Sequence, residues 1–186
     1  LTPIRVVCNN TLTFALQQNS TASFRMPHVR EFGSEVMETA AEALGLSAER
    51  MTEFREAATF LSKTKAKHAN VLEFIGEVYQ PAIIAERRHN LELKAQGKKI
   101  GEEVPLLEQF NVYPKLAVEA LERQPGANLA SAKGTWWGAL NAVTYVEDHL
   151  HESQQEGNAL HSAWFGAAAN RKAKALDLAV EYAKVA

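Results

Sequence analysis

The strongest constraint on this chain is a recurrence of apolar residues three and four apart, cut at intervals by glycine, proline and short polar runs. Phe32, Val36, Ala40, Ala43 and Leu44 form one helical stripe, closed by Gly45 as a left-handed cap with Leu46 folding back. Ser47 caps a second helix, whose Met51, Phe54, Ala58 and Leu61 share a face to about Lys65. The basic run KTKAK follows, and His68 to Tyr79 repeats the pattern through Val71, Leu72, Ile75 and Val78. Pro81 breaks or kinks this helix. Residues 82–94 read as helical around a charged ERRHN, and AQGKKIGEEVP reads as a loop.

LLEQFNVYP is ambiguous. Pro114 can occupy the first position of a helix that runs to about Arg123 through Leu116, Val118, Ala120 and Leu121. QPGANLASAKG is a second loop. Trp136 to His149 is a strong helix, ESQQEGN interrupts, and Ser162 to Lys184 forms the last helix, with Trp164, Ala168, Ala175, Ala179 and Tyr182 on one stripe.

The start of the chain differs. Residues 4–8 read as a short strand, Asn9 or Asn10 caps, and Leu12, Ala15 and Leu16 give a helix to about Gln18. SFRMPH is extended, because Pro27 disfavours the α region at Met26. A lone strand is not stable by itself, so its partner is expected within residues 22–28 or in a segment upstream. The chain opens at Leu1, straight into a strand, and is expected to be a piece of a longer protein. The expected fold is mainly α. It has about six or seven helices, with one or two short strands near the N-terminus left from a small sheet. The expected division is a strand–helix–extended segment at 1–28 and a helical domain at 29–186.

Composition excludes several classes. Apolar residues are 46% and charged residues 23% of the chain, so a packed core is expected rather than disorder. Twenty basic and 22 acidic residues give a net charge of -2, which is not the footprint of a strongly basic nucleic-acid domain. Local patches still decide binding. The single cysteine, Cys8, excludes an internal disulfide and a zinc site with two or more cysteine ligands. No apolar run approaches the ~18 residues that span a bilayer, so no membrane partner is expected. A reducing, intracellular compartment, the cytoplasm, is the simplest reading.

Three stretches together resemble one family: TPIRVVCNNTL at 2–12, GTWWGALNAVTYVEDH at 134–149 and SAWFGAAANRKAKALDLA at 162–179. Their order and spacing resemble the phage/plasmid-like proteins of domain of unknown function 932. The resemblance implies a mobile-element setting of phages, prophages and conjugative plasmids. It also implies a longer N-terminal part, and it brings no catalytic residue.

Several constellations carry candidate chemistry. Arg5, Asn9, Asn10 and Thr11 surround a strand-to-helix junction, where free amides and the positive end of the helix dipole suit an anion. Capping and packing of Cys8 explain the same residues structurally. Trp136, Trp137, Tyr145 and Trp164 recur at helical spacing. They are core side chains or, for Trp137 with Asn141 and Thr144 on its face, a platform for stacking bases. Basic groups recur at Lys63, Lys65 and Lys67, at Arg87 and Arg88, at Lys98 and Lys99, and at Arg171, Lys172 and Lys174. They are solvated faces or parts of one groove.

Glu147 shares a helix face with His151, as Asp148 does with Glu152. With His161, either pair gives the reading of a metal-dependent enzyme around His149 and His151, which lacks a full ligand set, and Glu102 with Glu103 reads as a solvated loop. No cofactor is expected. The function expected is a non-enzymatic nucleic-acid-binding protein of phage or plasmid DNA metabolism. It would hold single-stranded or recombining DNA through Arg5, Asn9, Asn10, Thr11, Trp137, Asn141, Arg171, Lys172 and Lys174, with self-association as an option. The alternative is an anti-defence or host-interaction protein acting by protein–protein contact.

Overall fold

In the computed structural model the described residues are 2–5, 23–26, 52–99, 101, 103–150 and 166–185. The expected helices at 10–18 and 30–44 and the Ser47 cap lie outside them. Strand β1 (Thr2–Arg5) pairs antiparallel with β2 (Ser23–Met26), in the register Thr2↔Met26 to Arg5↔Ser23. The first strand therefore starts two residues earlier than its hydrophobic pattern suggests, and its partner falls within the expected segment.

The helical part is built around three close approaches that the sequence makes possible. Helix α1 (52–63) ends in an extended stretch, and α2 (His68–Tyr79) follows. At the C-terminus of α2, Gln80 N–H donates to Gly76 O, and Pro81 opens α3 (Pro81–Ala95) at once. Pro81 does not kink one helix; it starts another, its missing N–H falling where no intrahelical partner exists. The chain folds back tightly because Gly76 has no side chain. A Cβ there would stand 2.5 Å from Ile84 Cδ1. Ile84 is the only fully buried residue of α3; Ile83 packs against the core beside it, and most of the helix is exposed.

The ambiguous LLEQFNVYP resolves into a one-turn α4 (Leu106–Gln109), buried Phe110, and α5 (Val112–Arg123). Pro114 sits third in α5, not first, still within the turn whose N–H groups lack helical partners. A chain of turns over 124–134 leads to α6 (Trp136–Tyr145). Gly134 adopts φ +63, and Thr135 then caps α6: its Oγ1 accepts from Gly138 N–H at 3.2 Å and donates to Ser131 O at 2.7 Å. Gly138 lets the turn press onto the helix, since a Cβ would lie 2.0 Å from Ala132 O.

The strong helix expected over 136–149 changes character midway. It is α-helical to Tyr145 and widens into a π-helical turn at Val146–Leu150. The last helix, α7 (Ala167–Lys184), opens behind extended Gly166 and not at Ser162. Trp164 lies outside the described residues. Helix α6 packs on α5 and α7, and α2 packs on α7 and α5. Trp136, fully buried, sits at their junction with ring centroids 5.7 Å from Phe74 and 5.4 Å from Tyr182. Ala175, Ala179 and Ala183 line the facing side of α7, their small size letting the helices approach. The protein is mainly helical, as its periodicity predicts.

Candidate functional site

Charged side chains gather in three places, and they differ in what surrounds them. The first is the π-helical turn. Glu147, its side chain fully buried, lies 2.8 Å from Arg171 Nη2, and Lys172 Nζ donates to Asp148 Oδ1 at 2.6 Å. Consecutive carboxylates thus meet consecutive cations of α7. Burial first, and then the neighbouring Glu147 carboxylate, push the Tyr79 hydroxyl far above its ordinary range, so it stays neutral there. His149 stacks beside Tyr145 at 5.0 Å.

Arg171, Lys172 and Lys174, read from the sequence as a solvated face or part of one groove, are engaged within the fold. Lys172 is 2% exposed, because it falls on the stripe Ala168, Lys172, Ala175, Ala179 that faces the core. Lys174 Nζ donates to Glu77 O at 2.5 Å, and Arg171 pairs with Glu147. The helix uses these cations to hold itself in place. The metal reading loses Glu147 to Arg171, while His151, Glu152 and His161 lie outside the described residues. Among the described residues no group of three or more His, Cys, Asp or Glu could hold a metal ion.

The second place joins α2, α3 and α7. Arg88 Nη2 donates to Glu77 Oε2 at 2.6 Å and to the Tyr182 hydroxyl at 2.7 Å, and Tyr182 donates to Glu77 Oε2 at 2.8 Å. Burial opposes the Glu77 carboxylate, but the hydrogen bonds from Arg88 and Tyr182, with the charges of Arg88 and Lys174, outweigh it. They hold the carboxyl below its ordinary value.

The third place is built by the backbone. After α1 the chain runs extended, and Lys65 forms a β-bridge with Thr135. Ala66 N–H donates to Gly134 O and Trp136 N–H donates to Thr64 O, each at 3.1 Å. This bridge, a short two-stranded ribbon, joins the segment that carries exposed Lys65 and Lys67, with exposed Lys63 at the end of α1, to the turn that carries exposed Lys133. Residues 57–72 and 123–146 contain no Asp or Glu, so the ribbon joins two acid-free segments. Inspection of KTKAK alone finds the first three lysines. Lys133 was missed because it lies 66 positions beyond Lys67; the run without acids around it is the signal that was available.

Trp137 follows directly on the ribbon. It is half-buried, its ring meeting Phe54 edge-on at 6.1 Å, and half-buried Asn141 lies one turn further on. Thr144 Oγ1 donates back to Asn141 O. Trp136 is therefore core and Trp137 is not fully so. Beside the ribbon, against α5, lies a cleft of about 520 Å³ with Val71, Val118 and Ala139 in its floor and His68, Lys133 and Glu122 on its rim. A second cleft of about 430 Å³ separates α3 from the 101–104 loop, where Arg87 is held by Glu103 at 2.9 Å and by Val104 O at 2.8 Å.

The side chains of Arg5, Asn9, Asn10 and Thr11, with Cys8, lie outside what the structure describes. No helix among the described residues is long and apolar enough to cross a membrane. No curated protein and no solved structure matches the chain. The model of one family, described as Domain of unknown function (DUF932), matches residues 1–164, and the chain belongs to that family.

Proposed function

We propose that this chain is a non-enzymatic nucleic-acid-binding protein of phage or plasmid DNA metabolism that holds single strands on the ribbon of Lys63, Lys65, Lys67 and Lys133. The observation that carries the reading is the meeting of two acid-free segments at the Lys65–Thr135 bridge. A strand of phosphates needs exposed cations, and these four lysines are all open to solvent. Trp137, half-buried at the end of the ribbon, adds an aromatic surface of the kind on which bases stack.

Fluorescence anisotropy with a labelled single strand tests this. Four lysines on phosphates predict a slope of log K against log salt of about −3, at roughly −0.7 per contact on single strands. Affinity should therefore drop roughly sixty-fold between about 50 and 200 mM salt. The triple variant K63E/K65E/K67E should lose most of the binding and most of the slope. Binding that ignores both salt and the three reversals overturns the reading.

A second reading rests on a different face. Leu91, Val104 and Leu107 are 50%, 45% and 42% exposed around the α3 arm, which fully buries only Ile84. That surface supports an anti-defence or host-interaction protein acting by protein contact. A host protein recovered in fixed stoichiometry, insensitive to nuclease and lost in L91D/L107D, would favour it over strand binding.

A further inference from the structure

The cleft beside the ribbon carries more than the lysines do. Its floor is apolar, from Val71, Val118 and Ala139, while its rim mixes cations with carboxylates. Glu119 on that rim is paired with Arg123 at 3.3 Å; exposed Glu122 has an ordinary solvent-facing position one turn of α5 further on. A plain polyanion site has no use for Glu122, which repels phosphate. A flat apolar ring that carries N–H donors on its edge and a phosphate on its tail uses all three features. The cleft, at about 520 Å³, falls within the roughly 300–1,000 Å³ of small-ligand pockets.

We infer that this cleft takes one unstacked base of the bound strand. The ring lies over Val71, Val118 and Ala139, its exocyclic amino group donates to Glu122, and its phosphate rests on Lys133 at the rim. This rests on the strand-binding reading, and it adds a base preference that the lysines alone do not create. Cytosine and adenine present an amino group to a carboxylate, and thymine presents a carbonyl in its place. An oligo-dC or oligo-dA strand should therefore bind more tightly than oligo-dT, by about fivefold for one hydrogen bond of roughly 1 kcal/mol.

The experiment compares labelled oligo-dC, oligo-dT and an abasic strand of equal length, with wild type and with E122A, V118W and A66L. The expected order for wild type is oligo-dC above oligo-dT above abasic. E122A, which removes the acceptor, should abolish the preference for oligo-dC over oligo-dT. V118W, which fills the cleft, should bring both down to the abasic level while the salt slope stays unchanged. A66L narrows the same cleft from the ribbon side and reports the same loss should V118W fail to fold. Equal affinity for all three strands, with binding and salt slope intact, overturns the cleft inference and leaves the lysine ribbon standing. Absence of binding to every strand overturns both.

Discussion

Lys172 and Lys65 carry the same ammonium group and stand in opposite situations. Lys172 is buried on the core stripe of α7 and held to Asp148 at 2.6 Å. Lys65 is exposed, and what fixes it is its backbone, bridged to Thr135. A buried ion loses several kcal/mol of hydration and needs its partner; an exposed one keeps its water and is available to an outside anion. The difference teaches that position on the helix stripe, more than local charge density, separates a cation of the fold from a cation of the surface. NRKAK looks as basic as KTKAK, yet only in the second are all the basic side chains exposed and the flanking sequence without a carboxylate.

The largest effect should come from breaking the buried pairs. Asp148→Ala leaves Lys172 buried without its carboxylate and should lose about 3–5 kcal/mol in urea denaturation. Glu147→Ala should lose less, because its partner Arg171 is 27% exposed and keeps access to water. Lys65→Ala should stay within about 0.5 kcal/mol, as surface substitutions do. Equal losses for Asp148→Ala and Lys65→Ala would erase the contrast drawn between the two cations.

Trp137 sharpens the comparison at the next scale down. Full burial of a tryptophan makes its replacement by alanine cost about 3–5 kcal/mol, and Trp136 should show that. Trp137 is only half-buried, with one edge-on neighbour in Phe54, so Trp137→Ala should cost about 1–2 kcal/mol. The same variant should weaken strand binding by about 1–3 kcal/mol if a base stacks there. Stability and affinity measured on one protein separate its packing role from its surface role.

Periodicity carried the helices far. The stripe in His68–Tyr79, the break at Pro81 and the loop over 124–134 follow from spacing and breaker residues, while the partner of the first strand, open between residues 22–28 and an upstream segment, is Ser23–Met26. What spacing does not contain is the third dimension. The bridge between Lys65 and Thr135 depends on a loop that folds back 70 residues later, and no local pattern announces it. The π-helical turn is a second case: Trp136–His149 reads as one continuous helix, and it widens where two carboxylates face two cations of α7. Lys172 was legible after all, since Ala168, Lys172, Ala175 and Ala179 form an unbroken three–four stripe. The basic composition of its neighbours concealed that.

The smallest effect separates the Glu77 network from both groups of lysines. Arg88 and Tyr182 donate to the same Glu77 oxygen, and Arg88 is half exposed, so solvent screens much of the charge. Glu77→Gln should cost about 1–1.5 kcal/mol at neutral pH, the low end for hydrogen bonds to charged groups. The Glu77 carboxyl is held below its ordinary value of 4.5 in the folded protein, so the folded state gives up this site's proton more readily than the unfolded chain does. Its contribution is therefore fully present above that ordinary value and is lost as pH falls through the lowered one. The stability gap between wild type and E77Q, followed by urea titration from neutral pH downwards, should hold steady and then close on the acid side. A gap that instead widens on acidification would mean that Arg88 and Tyr182 do not stabilise the charged carboxylate, and that α2, α3 and α7 are held together at this point by packing alone.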